Sequence, residues 1–241
     1  RNNLQHYECH YPEKVKRIVN QINTNFNSKV MAVYCKLGKA NLLHKYELIQ
    51  NNFKDEDSWS IIKFKSGVLI LLSFSNKVTN TEYVLNDMLK NIKFIVGDCY
   101  IGISNIYNNI ENFGTCIKEA LLTVELSEKI LKKEIAYHKD IGLYKIILPY
   151  KDEYAFKSFH KETIHPIIEY DKLYNSQLLE TAIEYINNEG DFSKTANKLY
   201  IHENTVRYRI NKIKEILNIN SGFGSFYEQL SIAIKMHNLL E

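Results

Sequence analysis

The side chains best suited to binding chemistry lie in one short stretch, residues 191–217, which reads DFSKTANKLYIHENTVRYRINKIKEIL. In the major groove of DNA, Arg reads guanine bidentately, Asn reads adenine, and the methyl group of Thr meets the methyl group of thymine. Hydroxyl and ammonium groups suit phosphate contacts, which position a protein without specifying a sequence. The candidate DNA-contacting residues are Ser193, Thr195, Lys198, His202, Asn204, Thr205, Arg207, Tyr208, Arg209 and Lys212.

The apolar residues of the same stretch predict the elements that position those side chains. Val206, Ile210, Ile213 and Leu217 recur at intervals of four, three and four, which places them on one face of a helix. Ala196 and Leu199 share a face of a preceding helix, and the residues at 200–202 fall between the two. Two helices joined by three or four residues, the second of them basic, are typical of a helix-turn-helix that enters the major groove.

Positive charge is concentrated in this stretch. It holds six cationic and three anionic side chains, an excess equal to the formal net charge of +3 of the whole chain. Such a concentration is typical of a DNA-binding surface. Glu203 is the exception, because an anion repels phosphate; it is interpreted either as an acceptor from a cytosine amino group or as a helix N-terminal cap. The alternative for the whole stretch is an ordinary amphipathic helical hairpin with a solvated basic face.

The C-terminal part of the chain contains a larger set of residues at fixed spacing. They are LLET at 178–181, YI at 185–186, Phe192, TA at 195–196, Leu199, His202, NTV at 204–206, YRI at 208–210 and Ile213. A lead-in at 165–171, HPIIEYD, contains a proline and ends in a Tyr-Asp pair. In these residues the C-terminal part, roughly 155–241, resembles the PucR/CdaR-type bacterial transcription regulators with their Fis-like helix-turn-helix. The resemblance implies sequence-specific binding to operator DNA.

The preceding residues predict an α+β domain. We expect strands at 30–35, 59–65, 68–74, 99–104 and 135–137, and helices at 12–26, 81–91, 113–131 and 141–148. That order favours an antiparallel sheet with helices on one face. The fragments GIS at 102–104, KEAL at 118–121 and YHKDIGLY at 137–144 resemble the GGDEF-like domain of CdaR-type regulators.

The sequence does not predict an enzyme. The hairpin at 64–69 reads FKSGVL and lacks the carboxylates with which a true diguanylate cyclase would hold Mg²⁺. The acidic run at 55–57 is interpreted as a solvated turn, and no nucleophile elbow, phosphate loop or HExxH pattern occurs. Four widely spaced cysteines suit reduced thiols. His6, Cys9 and His10 lack a fourth metal ligand nearby, so neither metal nor cofactor is expected.

We therefore expect four segments. They are an N-terminal helix or linker at 1–27, the GGDEF-like α+β domain at 28–150, a connecting helical segment at 151–174, and the all-α helix-turn-helix domain at 175–241. The final helix, at 225–240, is expected to pack onto the hairpin rather than to form a dimer surface, with His237 hydrogen-bonded in or beside the core. Because the chain opens on Arg1, an input domain upstream is expected.

The predicted function is that of a cytoplasmic, homodimeric regulator that binds double-stranded operator DNA and responds to a small-molecule effector. Dimerisation is expected because paired half-sites multiply the affinity of a single recognition helix. The alternative is a small-molecule or nucleotide sensor, or an interaction module, in which the helix-turn-helix is secondary.

Overall fold

A computed structural model describes residues 29–37, 41–53, 59–74, 81–219 and 222–240, together with Arg17 and Gln21. Apart from those two positions, the predicted helix at 12–26 lies outside the described residues, as do the acidic run at 55–57 and the cluster of His6, Cys9 and His10. The chain divides into two compact units between Lys145 and Ile146.

The first unit is built on a five-stranded sheet in the order β2-β3-β1-β4-β5. The strands are β1 Lys29–Lys36, β2 Trp59–Phe64, β3 Gly67–Phe74, β4 Tyr100–Ile103 and β5 Ile135–Tyr137. All neighbours pair antiparallel except β4 and β5, which are parallel. The five predicted strands are confirmed, but a wholly antiparallel sheet is wrong at this edge, because a helical crossover returns the chain before β5.

Helices cover both faces of this sheet. On one face α1 (Leu42–Asn52) and α2 (Thr81–Val96) pack against alternate residues of β1 such as Met31 and Val33. On the other face α3 (Phe113–Leu126), which continues as a π-helical turn over Ser127–Leu131, packs against Val30 and Ala32. The expectation of helices on one face is therefore wrong. The reason is that all eight residues of β3 are buried, so helices must pack against both faces of the sheet.

The helix α3 approaches β4 with no side chain between the two backbones. A Cβ atom placed on Gly102 would lie 2.2 Å from the carbonyl oxygen of Ala120 and 2.6 Å from the amide nitrogen of Val124. No other residue type fits these distances, so the glycine sets how closely the crossover helix lies on the sheet.

A buried carboxylate joins the loops that follow β4 and β5. Glu119 on α3 accepts hydrogen bonds from the amide of Asn105 at 2.8 Å and from the hydroxyl of Tyr107 at 2.6 Å. Its Oε1 lies 3.2 Å from Nδ1 of His138, just after β5. Desolvation, aided by Glu119, raises the pKa of Tyr107 to about 12, and desolvation lowers the pKa of His138. The structure thus brings together two of the fragments on which the GGDEF-like resemblance depends.

A short helix, α4 (Tyr144–Ile147), follows where a longer helix at 141–148 was predicted.

The second unit contains five helices in its described part: α5 Tyr154–Tyr174, α6 Leu178–Asn187, α7 Phe192–Leu199, α8 Glu203–Ile216 and α9 Phe223–Leu240. All five contribute to one apolar core, which includes Ile167, Tyr185, Ala196, Ile210 and Phe226. The last helix shares this core mainly through its contacts with α5 and α6, whereas it was predicted to pack onto the hairpin of α7 and α8. His237 is buried, and its Nδ1 lies 3.2 Å from Nε2 of His160, in agreement with the predicted hydrogen-bonded position. An α+β unit followed by an all-α unit is the predicted fold class, and it is confirmed.

Within the described ranges, three further findings bear on function. The helices there lack the combination of length and hydropathy needed to cross a bilayer. No three His, Cys, Asp or Glu side chains of the described part are grouped to hold a metal ion. Cys35, Cys99 and Cys116 are free and buried, and burial raises the pKa of the last two thiols to about 11 and about 12.

Candidate nucleic-acid interface

Two capping residues and a left-handed turn shape the hairpin of α7 and α8. Asp191 begins α7 by accepting a hydrogen bond from the amide of Lys194 at 2.9 Å. The chain reverses at Tyr200, whose φ of 57° ends that helix. His202 then begins α8, because its Nδ1 accepts from the amide of Asn204 at 3.1 Å. The predicted connection at 200–202 is confirmed.

The helix α8 presents a continuous polar stripe to solvent. Asn204, Tyr208, Asn211 and Glu215 are all exposed, and their spacing of four, three and four residues places them on one face. Val206, Ile210 and Ile213 are buried on the opposite face. The apolar pattern seen in the sequence therefore orients the polar residues as predicted.

Arg207 borders this stripe on the side nearest α7. Its Nε and Nη2 both donate to Oε1 of Glu203, at 3.1 Å and 2.6 Å. The guanidinium carbon also lies 4.2 Å from the ring centroid of Phe192, the first residue of α7. Glu203 is therefore an ion-pair partner one turn before Arg207, at the N-terminal end where an anion also suits the helix dipole.

Two candidate residues are directed into the domain. Thr195 is fully buried, and its hydroxyl donates to the carbonyl oxygen of Asp191 at 2.6 Å. Arg209 is half-buried and donates to Oγ1 of Thr181 and to Oε1 of Gln177, both at 3.0 Å. Arg209 thus fastens α8 to the beginning of α6, and Thr195 stabilises the first turn of α7.

The remaining candidates lie at the surface on either side of the stripe. Ser193, Lys198 and His202 are exposed, and Thr205 is half-buried. Lys212 is half-buried between a carboxylate and a ring: its Nζ lies 2.9 Å from Oε2 of Glu215 and 5.7 Å from the ring centroid of Tyr170. The hydrogen bond that Lys212 donates to Glu215 raises the pKa of Lys212.

Asp171 has a role in the structure that its sequence context does not indicate. This carboxylate at the end of α5 accepts from the amides of Leu178 and Leu179, at 2.7 Å and 2.8 Å, and from the hydroxyl of Ser176 at 2.6 Å. It therefore caps α6 from a neighbouring helix. A cap seven residues before the amide it binds has no local sequence signal, and in the sequence Asp171 stands out only as the end of the Tyr-Asp pair.

The helices α6, α7 and α8 pack together, and α7 lies beside the exposed polar face of α8. This arrangement defines a helix-turn-helix domain. Residues 178–236 match the family model of the PucR C-terminal helix-turn-helix domain, so the second unit carries that domain. The resemblance stated for this part of the sequence is confirmed.

The chain is also similar to three regulators of Bacillus subtilis (strain 168). It is 27% identical over 176 residues to the proline-responsive transcriptional activator PutR, covering 70% of this chain and 43% of the relative. It is 29% identical over 142 residues to the purine catabolism regulatory protein, covering 58% and 26%. It is 22% identical over 130 residues to the DNA-binding transcriptional activator AdeR, covering 53% and 31%. The chain thus spans less than half the length of each of these relatives.

A solved structure, that of a regulator of polyketide synthase expression from Bifidobacterium adolescentis, aligns with a TM-score of 0.40 and 15% identity. The alignment covers 89% of this chain and 82% of that one.

Proposed function

We propose that this chain binds double-stranded DNA through α8 and regulates transcription, rather than acting as an enzyme. The observation that supports this proposal best is the solvent-facing stripe of Asn204, Tyr208 and Asn211 on the second helix of a PucR-type helix-turn-helix. A protruding helix of this kind fits the width of the major groove, where amide side chains recognise adenine.

The geometry assigns different roles to the candidate residues. Asn204, Tyr208 and Arg207 are proposed to meet base edges, since they lie on or beside the exposed stripe. Ser193, Lys198, His202, Thr205 and Lys212 are proposed to meet phosphates at its borders. Thr195 is omitted because it is buried, and Arg209 is proposed to orient α8 rather than to read DNA.

The wider assembly follows from the same proposal. A homodimer would place two copies of α8 on half-sites one helical turn apart, and a small-molecule effector would change their spacing. The α+β unit is proposed to transmit that signal. A regulator of bacterial operators would work in the cytoplasm, beside the chromosome.

Fluorescence anisotropy with the whole chain and duplex DNA tests the proposal. We would first select duplexes from a random-sequence pool, and then compare Asn204→Ala and Lys198→Ala over a range of salt concentrations. Asn204→Ala should cost about 1–3 kcal/mol on the selected duplex and relax the preference at one base pair. Lys198→Ala should weaken binding to every duplex and reduce the log–log salt slope by about 1.

Lys90→Ala is the matched control, because it removes the same charge from an exposed position on α2 of the first unit. It should leave both the affinity and the salt slope unchanged. The proposal is wrong if the wild-type chain enriches no sequence, or if Asn204→Ala and Lys90→Ala bind the selected duplex alike.

The alternative, a small-molecule sensor, has less support from the first unit. A cleft of about 440 Å³ lies beside Leu37, Asp98 and Tyr100. Its charged residues include an ion pair between Lys36 and Glu128. Four of its seven lining residues are charged, whereas a small-molecule site usually has only a few polar groups in an apolar lining. Thermal-shift measurements against a metabolite and nucleotide panel would test the alternative, and a uniform lack of response would count against it.

A further inference from the structure

Arg207 is held in place before any DNA arrives. Its guanidinium donates twice to one carboxylate oxygen of Glu203 and lies over the ring of Phe192. Both members of the ion pair are nevertheless accessible, since the side chain of Glu203 is 38% exposed and that of Arg207 is 52% exposed. The pair is therefore fixed in position and still open to exchange with an incoming ligand.

The ring beneath the guanidinium is itself immobilised. Phe192 packs against Tyr185, with ring centroids 5.0 Å apart, and Tyr185 is fully buried. Tyr227 of α9 contacts Tyr185 from another side, with ring centroids 6.1 Å apart. An aromatic cluster that belongs to the core thus sets the position of Arg207, so the guanidinium does not depend on a flexible surface side chain alone.

The ion pair changes what Arg207 offers to different parts of DNA. Non-specific affinity grows with the number of unpaired cations that neutralise phosphates, and a guanidinium bound to a carboxylate contributes little to that number. A guanine edge offers O6 and N7 in the bidentate arrangement that Arg prefers, and can therefore replace the carboxylate oxygen. The carboxylate so released can accept from the amino group of a nearby cytosine.

From this geometry we infer that Glu203 is a specificity-determining residue. Its ion pair keeps Arg207 from binding phosphates, but is replaced when Arg207 binds the guanine of a G·C base pair. The inference rests on the proposed function, because it concerns how the same helix selects its DNA. The ion pair lowers the overall affinity for DNA and raises the ratio of specific to non-specific binding.

The test measures the binding of the whole chain to two probes. One is a random-sequence duplex about three helical turns long, and the other is the duplex that the wild-type chain enriches most from the same pool. Glu203→Gln should raise affinity for the random duplex about five- to tenfold and steepen the log–log salt slope by about one. Affinity for the enriched duplex should rise less or fall, so the specificity ratio should decrease.

Two further variants separate this mechanism from simple charge repulsion. In an Arg207→Ala background, Glu203→Gln should no longer raise affinity for the random duplex, because the cation that it releases is gone. Glu228→Gln removes the same charge from an exposed position on α9 and should change that affinity less than twofold. Circular dichroism of each variant confirms that the helices are retained.

The outcomes distinguish this inference from the proposed function. If the wild-type chain binds DNA and Glu203→Gln gains equally with and without Arg207, Glu203 only repels phosphates and the inference is wrong. An unchanged specificity ratio in Glu203→Gln also overturns it. If the wild-type chain shows no salt-dependent binding to either probe, the proposed function fails, and the inference fails with it.

Discussion

Replacing Asp171 with Ala should destabilise the helix-turn-helix unit without changing the surface proposed to face DNA. The carboxylate accepts three hydrogen bonds, two of them from the first amides of α6. Gln177, which precedes that helix, has a φ of 55° and provides no side-chain cap. The amides of Leu178 and Leu179 therefore depend on Asp171.

The expected loss can be estimated from two contributions. Losing an N-terminal cap typically costs about 1 kcal/mol and at most about 2 kcal/mol. A negative charge near a helix N-terminus contributes about 0.3–1 kcal/mol more. Since Asp171 is half-buried, water replaces its hydrogen bonds only in part. We expect a loss of about 2–3 kcal/mol in the free energy of unfolding, or about 10–20 °C in Tm for a unit of this size.

Urea unfolding of the whole chain, followed by far-ultraviolet circular dichroism, measures this loss. Asp171→Asn keeps an acceptor oxygen and loses the charge, so its loss should be about half as large. Asp152→Ala is the matched control, because this aspartate is 83% exposed and lies 3.9 Å from Lys157 in a weak surface ion pair. It should change the free energy of unfolding by less than about 0.5 kcal/mol.

The reasoning would be refuted if Asp171→Ala and Asp152→Ala unfolded at the same urea concentration. It would also fail if Asp171→Asn were as stable as the wild-type chain and Asp171→Ala were only slightly less so, because the cap would then contribute little.

Two other substitutions test buried polar groups. The hydroxyl of Tyr185 is buried and has no hydrogen-bond partner among the described residues. Tyr185→Phe should therefore leave the free energy of unfolding unchanged or raise it by about 1 kcal/mol. A clear fall in the unfolding midpoint would contradict this. The pKa of His138 is lowered by burial and by Lys145, against the opposing charge of Glu119. As pH falls through 6.5 the unfolded chain therefore binds the proton first, and stability should decrease from about pH 7 downward. His138→Gln should show a shallower decrease in unfolding midpoint over this range, and parallel curves for the two proteins would exclude the mechanism.

The hairpin of α7 and α8 could be predicted from sequence because its signals are local. Val206, Ile210 and Ile213 have the helical period, and Asp191 stands where an N-terminal cap is expected. Thr195 shows the limit of that reasoning. Its polarity predicts a phosphate contact, but it lies beside Ala196 on the inner face, and its hydroxyl donates to a carbonyl oxygen one turn back.

The contacts that fix the site could not be predicted, because they join residues far apart in sequence. Arg209 binds Thr181 and Gln177, which precede it by 28 and 32 residues. In the first unit, α1 was missed because Ile49 is its sole buried residue, which leaves only a faint apolar period. The helices on both faces of the sheet do have a sequence signal in the uninterrupted apolar run of β3, because a strand that is buried along its whole length must be covered on both sides.

The shared core of the second unit determines where a functional fragment of this protein can begin. The family match starts at Leu178, but Ile164 and Ile167 of α5 are fully buried against the same core. A fragment cut at the start of the match would expose this apolar surface and lose the carboxylate that begins α6. The smallest piece able to fold on its own therefore extends upstream through α5. The segment that the family model recognises is shorter than the unit that can be moved intact into another protein.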